Sequence, residues 1–260
     1  MELNHHREGQ GSPLVLIHGI GSRWQMWRPV LAPLTAVHDV IALDLPGFGA
    51  SPMPRPATPA GRDSLVALVT GFLAELGLER PHVAGNSLGG LISLELARRG
   101  LVRSATAISP AGFASRGEQA LARATLGTGV RVARLLAPRA ESVMRPRPLR
   151  AVALSAFVAR PAALSAAEAA ESLRALAGAP WFDATLPTIE PMQFRGGGQI
   201  SVPVTVGWGD KDRILFPRQA VRAAREIPAA RIVGLPGCGH VATYDDPAQV
   251  ARVLLDGARD

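Results

Sequence analysis

The chain predicts an α/β fold, a mostly parallel sheet flanked by helices with a helical segment inserted in its second half. Three observations predict it. Short all-apolar runs alternate with helix-spaced stretches between residues 14 and 108, the alternation stops between 116 and 195, and it resumes beyond 200. Strands separated by helices of this length pair in parallel through crossover connections.

Taken in order, Leu14-Val15-Leu16-Ile17 is apolar on both faces, the mark of a strand inside a parallel sheet, and His18-Gly19 ends it. Residues 25–34 have helical spacing. Val40-Ile41-Ala42-Leu43 is a second buried strand, stopped by Asp44-Leu45-Pro46-Gly47, and proline-rich residues 52–59 form a loop. From Asp63, the apolar residues Leu65, Val66, Leu68, Val69, Phe72, Leu73 and Leu76 recur at helical spacing, and Gly77 closes that helix. A strand at 81–84, a helix at 88–99 and a strand at 105–108 follow. Residues 116–195 are rich in Ala, Leu and Arg and broken by Pro138, Pro146, Pro148, Pro161 and Pro180, so they read as several helices. The alternation returns with a strand at 202–207, a helix at 217–226, a strand at 230–235 and a helix at 247–255. Asp246 and Pro247 supply that last helix with an N-cap and a first-turn proline. The expected organisation is a core of residues 1–115 and 196–260 with a helical lid of 116–195.

Composition narrows the function. A chain of 260 residues, 47% hydrophobic and 19% charged, buries a large core without crosslinks. Cys238 is the one cysteine, so no internal disulfide forms. The first residues lack the apolar core of an export signal, and no run of eighteen apolar residues occurs; a cytoplasmic protein that does not span a membrane is expected. The formal charge is +7, but it is scattered arginine with only 5% aromatic residues, which argues against a nucleic-acid partner. A small-molecule substrate and a monomer or homodimer are expected.

The strongest chemical signal is Gly85-Asn86-Ser87-Leu88-Gly89, a Gly-x-Ser-x-Gly pattern between a strand and a helix. A sharp turn there lifts the serine hydroxyl above the sheet, and glycines on both sides remove Cβ atoms that would clash. Serine is a poor nucleophile at neutral pH and needs a base oriented by a carboxylate. Of the six histidines, His240 alone follows a strand end late in the chain. His5, His6 and His38 read as solvated, His82 as structural, and His18 as shaping an oxyanion loop in which the N–H of Ile20 joins that of Leu88. The carboxylate belongs at a strand's C-terminal end between Ser87 and His240. Asp210 and Asp212 both qualify, Asp212 being preferred, and spacing alone does not separate them. Asp44 reads as stabilising a turn.

Together these segments resemble the capped, esterase-like branch of the α/β-hydrolases. His18-Gly19-Ile20-Gly21 is similar to the family's HGxG oxyanion loop, and Asp44 to Ser51 to its DxPGxGxS loop. Gly85 to Gly90 is similar to its nucleophile elbow, Trp208-Gly209-Asp210-Lys211-Asp212 to its WGxxD acid loop, and Gly239-His240 to its histidine loop. The resemblance selects Asp212 as the acid, giving Ser87, Asp212 and His240 as the catalytic set. It implies the α/β-hydrolase fold with the cap after the sixth family strand, and no metal or organic cofactor. Too few residues precede the HGxG strand for the two strands the family has there, so the first is expected to be missing and seven to remain. The residue after His240 is Val241, where carbon–carbon bond hydrolases commonly have tryptophan.

Hydrolysis of carboxylic esters of small, mostly apolar acids or alcohols is therefore expected. Carbon–carbon bond cleavage, perhydrolase or haloperoxidase-like activity, and non-catalytic ligand binding are the alternatives. Trp24, Phe113, Trp181, Phe182, Met192 and Phe194 are the candidates for an apolar substrate wall, and Trp27 for the core. Arg145, Arg147 and Arg150 in the lid, like Arg218, Arg222 and Arg225, read as solvated.

Overall fold

The computed structural model describes residues 2–55, 58, 60–189 and 193–259. The first half contains β1 (His5–Glu8), β2 (Ser12–Ile17), α1 (Arg28–Thr35), β3 (His38–Leu43), α2 (Arg62–Glu75), β4 (His82–Asn86), α3 (Leu88–Arg98) and β5 (Ser104–Ile108). Helices α4 (Arg116–Leu136), α5 (Ala140–Met144), α6 (Arg147–Ala153), α7 (Ala166–Ala177) and α8 (Phe182–Ile189) come next. The core resumes with β6 (Val204–Gly209), α9 (Gln219–Glu226), β7 (Arg231–Leu235), α10 (Ala242–Asp245) and α11 (Pro247–Gly257).

Seven strands form one sheet in the order β1-β3-β2-β4-β5-β6-β7. Only the edge pair β1–β3 is antiparallel. The apolar runs that predicted strands are buried because helices cover both faces: β4, β5 and β6 are buried along their whole length. On one face, α2 and α3 pack over Val15, Ile17, Val83 and Val206. On the other, α1 and α11 pack over Leu14, Leu16, Ala84 and Ile108, with Trp27 fully buried among them as expected. A third apolar cluster lies inside the helical segment between β5 and β6, around Ala133, Met144, Leu164 and Ala170.

The topology locates the site. β3 lies on one side of β2 and β4 on the other, so the order of strands reverses between β2 and β4. The crevice at such a switch point, beyond the carboxyl ends of the strands, is where α/β sheets bind ligands. The register pairs Ile17 with Gly85 and Asn86 with Ile108. The His18-Gly19 loop, Ser87 and the start of the helical insertion thus leave the sheet at one edge.

Some boundaries differ from expectation. The strand expected at 202–207 runs two residues later. The helix expected at 25–34 opens as a 3-10 turn at Trp24–Trp27 before α1, which has a proline in its first turn. β1 is the one strand that the resemblance leaves before the HGxG strand; its own residues did not mark it, because it is a short, polar edge strand without an apolar signature. His5 and His6 lie on it half-buried, with His5 edge-on to Phe72 and His6 stacked on Trp24, rather than solvated. His38 is buried too, its Nδ1 3.0 Å from the Ser12 hydroxyl.

Candidate active site

Ser87 joins β4 to α3 with φ 57° and ψ −115°, a strained conformation costing about 1–3 kcal/mol. Its surroundings enforce the strain. The Ser87 N–H donates to the Ile108 carbonyl, and its own carbonyl accepts from Leu91 and Ala111, each at 3.0 Å. A Cβ on Gly85 would lie 2.2 Å from the Gly89 carbonyl, and one on Gly89 would lie 2.1 Å from the Ile17 oxygen. Only glycine lets the elbow sit this close to β2.

Asp212, in the turn after β6, is buried and fully committed. One carboxylate oxygen accepts from the N–H groups of Ile214 and Leu215 at 2.9 and 2.8 Å. The other lies 2.8 Å from His240 Nδ1. An ionised carboxylate only accepts, so Nδ1 carries the proton and Nε2 is left with its lone pair. Asp210, the alternative acid, lies on the outside and accepts from the Gly237 N–H at 2.7 Å, ordering the turn after β7. Sequence spacing left these two aspartates level; their side-chain partners separate them.

The His240 loop is anchored at several points. The Asn86 amide donates to the His240 carbonyl at 2.9 Å and to Ile108 at 3.1 Å. The Val241 N–H donates to the Phe157 carbonyl at 2.8 Å. Buried Asp245 accepts from Gly239, Ala159 and Arg160 N–H groups at 2.8, 2.9 and 2.8 Å, binding the loop to residues 157–160 of the insertion. Cys238, in the same loop, is inert: burial above all pushes its thiol up to about 12.

His18 organises the loop opposite Ser87. Its Nε2 accepts from the Leu45 N–H at 2.9 Å, so the proton sits on Nδ1, which donates to the Gly19 carbonyl at 2.7 Å. Burial holds its pKa below the ordinary histidine value, against the opposing pull of Asp44, which keeps the ring neutral. In a planar trans peptide the N–H points opposite to the carbonyl, so fixing Gly19 toward His18 turns the Ile20 N–H away from it. Asp44 ties its turn together, accepting from Trp24, Asn4 and Ala50.

A cavity of about 360 Å³, within the range of small-molecule sites, opens between this edge and the insertion. Ser87, His240, Ile20 and Asn86 line it from the core, and Leu126, Phe157 and Leu176 are among those that line it from the insertion. Ser87 and His240 therefore face one space, although no hydrogen bond joins their side chains among the described residues. Such contacts are often long before a ligand is bound. Among the described residues, no group of three or more His, Cys, Asp or Glu side chains is placed to hold a metal ion. Nor, among them, is any helix long and apolar enough to cross a membrane.

A family model described as the alpha/beta hydrolase family matches residues 14–253. The chain belongs to the alpha/beta hydrolase family. This hydrolase is 31% identical to the putative carbamate hydrolase RutD of Pseudomonas savastanoi pv. phaseolicola, over 98% of the chain and 96% of that protein. It is 41% identical to the 2-hydroxy-6-oxo-2,4-heptadienoate hydrolase of Pseudomonas putida over a shorter stretch, 38% of the chain and 37% of that enzyme. Among solved structures, a bacterial membrane phospholipase A superposes with a TM-score of 0.75 at 26% identity, covering 99% of this chain and 87% of that one.

The aromatic wall expected from the sequence does not line the hydrolase's cavity. Phe113 is buried against the rings of Phe194 and Trp208, with centroids 5.8 and 6.4 Å away. Trp181 covers Gly47 and donates its N–H to the Gly47 carbonyl at 3.2 Å, while Phe182 packs on Gly21. Trp24 stacks on His6 beneath the Arg28 guanidinium, 5.2 Å away. Met192 lies outside the described residues. The physical reason is area: rings bury more surface in the seam between insertion and core than beside an open cavity. Thr125, Gly129 and Val132 on α4 and Leu173 and Leu176 on α7 form much of the actual wall. Their spacings of three and four residues mark one helix face, a signal present in the sequence but too bland to single out. Of the arginines, Arg145, Arg147, Arg218 and Arg225 are exposed, as expected, while Arg150 and Arg222 are more enclosed. Arg150 is buried and donates to the Met144 and Arg145 carbonyls, and Arg218 and Arg222 pair with buried Glu118.

Proposed function

We propose that this chain is a serine hydrolase of neutral carboxylic esters, with residues 116–195 as its cap over a core of 1–115 and 196–260. The observation that carries the reading is the buried Asp212–His240 pair opening, together with the strained Ser87, onto one cavity. Ser87 Oγ attacks the ester carbonyl while His240 Nε2 takes its proton. Asp212 holds the ring tautomer and stabilises the imidazolium, and the N–H groups of Ile20 and Leu88 receive the oxyanion. His240 then protonates the leaving alcohol, and water, activated by the same ring, releases the acid from Ser87. No cofactor enters the scheme.

The substrate is read as neutral because the cavity's described lining holds one cation besides histidine, Arg23, and Glu171 neutralises it at 2.5 Å. The named relatives support attack at a carbonyl carbon. A carbamate differs from an ester by nitrogen on that carbon, and a phospholipase A cleaves an ester. The local likeness to a heptadienoate hydrolase supports carbon–carbon cleavage as the second reading, but a dienoate carboxylate finds no free cation in this lining.

The test is Ser87→Ala assayed against acetate esters, an O-carbamate and a ring-cleavage dienoate. Loss of at least about 10⁴-fold in kcat/KM on the esters is expected. Ester turnover that survives the substitution defeats the mechanism, and a dienoate cleaved faster than every ester hands the reaction to the second reading.

A further inference from the structure

Ser87 faces two spaces, not one. Besides the large cavity, a pocket of about 30 Å³ opens at Ser87, lined by Leu88, Ala111, Ala122, Leu186, Ile214 and Leu215. Ile20 and Leu126 line both spaces, so the nucleophile and the oxyanion loop sit where the two meet. His240 lines only the large cavity.

Resting on the ester reading, we infer that the substrate joins a short acyl group, acetyl in size, to a bulky apolar alcohol. The tetrahedral carbon on Ser87 Oγ carries an oxyanion, an acyl substituent and a leaving oxygen. Collapse of that intermediate breaks the bond to the leaving oxygen, which takes the proton held on His240 Nε2. The leaving oxygen must therefore lie on the histidine side, and the alcohol attached to it extends into the 360 Å³ space. The acyl substituent is left with the small pocket, which offers about 30 Å³ where the alcohol has about 360 Å³. The smaller space favours a short acyl group over a long chain.

Two walls of the small pocket cannot give way cheaply. Its Ile214–Leu215 wall is held through both backbone N–H groups by the Asp212 carboxylate. Its Ala111 wall is held by the Ala111 N–H on the Ser87 carbonyl. Moving either wall displaces the acid or the nucleophile. The small pocket's remaining wall, Gln119, Ala122, Arg123, Leu126 and Leu186, belongs to the insertion, as do Val152, Leu154, Leu173 and Leu176 of the large cavity.

Two ester series on the whole protein test this. Ethyl, butyl, hexyl and octyl acetates vary the alcohol; ethyl acetate, butyrate, hexanoate and octanoate vary the acid. The expected result is kcat/KM rising up to roughly fourfold per methylene along the acetates until the cavity fills, and falling at least tenfold from acetate to hexanoate. Leu186→Ala, which widens the small pocket, is expected to raise butyrate over acetate by about tenfold relative to the parent. Ala122→Val, which fills the pocket, is expected to depress acetate turnover while sparing formate. Ser87-dependent hydrolysis that improves with acid length and ignores the alcohol overturns the inference and leaves the ester mechanism standing. Absence of turnover on both series overturns the two together.

Discussion

The amide of Asn86 holds the carbonyl of His240 at 2.9 Å across 154 residues of chain, and with the same nitrogen holds Ile108 at 3.1 Å. One buried side chain thereby fixes the histidine loop to β5, beside the elbow that it precedes. The Asp212 contact sets the angle of the imidazole ring; the Asn86 contact sets where its backbone stands.

Replacing that donor tests the positioning. Asn86→Asp keeps the shape but turns a carboxylate toward two carbonyl oxygens, a loss of about 1–3 kcal/mol in stability. With the ring displaced from Ser87, kcat is expected to fall roughly 10- to 100-fold while KM changes little. Steady-state kinetics with a melting curve on the same sample check both. An unchanged kcat would mean that Asp212 alone seats the ring.

The two aspartates after β6 are expected to behave oppositely. Asp212→Asn retains the volume but lets the ring take the wrong tautomer, and a fall on the order of 10⁴ in kcat is expected. Asp210→Asn disturbs one exposed bond to the Gly237 N–H and should stay within about threefold of the parent. Comparable losses in both variants contradict the assignment of the acid.

His18 gives a pH dependence with a definite sign. Its folded pKa lies below the ordinary 6.5 because the ring is buried. Below about 6.5 the unfolded chain takes up a proton that the folded one refuses, so this group's contribution to stability is lost as pH falls. Protonation also places a hydrogen on Nε2, which must accept from Leu45. Urea unfolding at pH 7.5 and 5.5 should show the fall, and the His18 ring resonances should titrate below the ordinary histidine range. A His18 that titrates near 6.5 refutes the account.

Asp245→Asn turns one of the two carboxylate oxygens that together accept from three N–H groups into an amide donor. A loss of about 2–3 kcal/mol is expected, seen as a Tm lower by roughly 5–10 °C. Asp246→Asn is the control. Its side chain caps α11 through the Gln249 N–H at 2.9 Å, and asparagine caps as well, so Tm should hardly move.

What could be read in the residues follows their physical uniqueness. Ser87, Asp212 and His240 sit in segments whose glycines are forced by contacts near 2 Å, as at Gly85, Gly89 and Gly209, and such constraint leaves a pattern in a single chain. The parallel strands were legible because burial on both faces demands unbroken apolar runs. β1 was not, because an edge strand with a polar face needs none. The cavity wall was misread for a related reason. Phe113, Trp181, Phe182 and Phe194 announce burial but not which side of a seam is buried, and here they close the joint between insertion and core. The residues that do line the space, among them Thr125, Gly129 and Leu176, are ordinary helix residues.

The insertion meets the core near the cavity along two borders made of different forces. At the histidine border, the buried Asp245 carboxylate accepts from three backbone N–H groups and the Val241 N–H donates to the Phe157 carbonyl. At the other, Arg23 and Arg28 grip Glu171 from half-exposed positions. Dissolved ions screen exposed pairs beyond about 8 Å at physiological strength and weaken them further as salt is added. Added salt therefore weakens the hold of Arg23 and Arg28 on Glu171 while the hydrogen bonds at the histidine border stay in place.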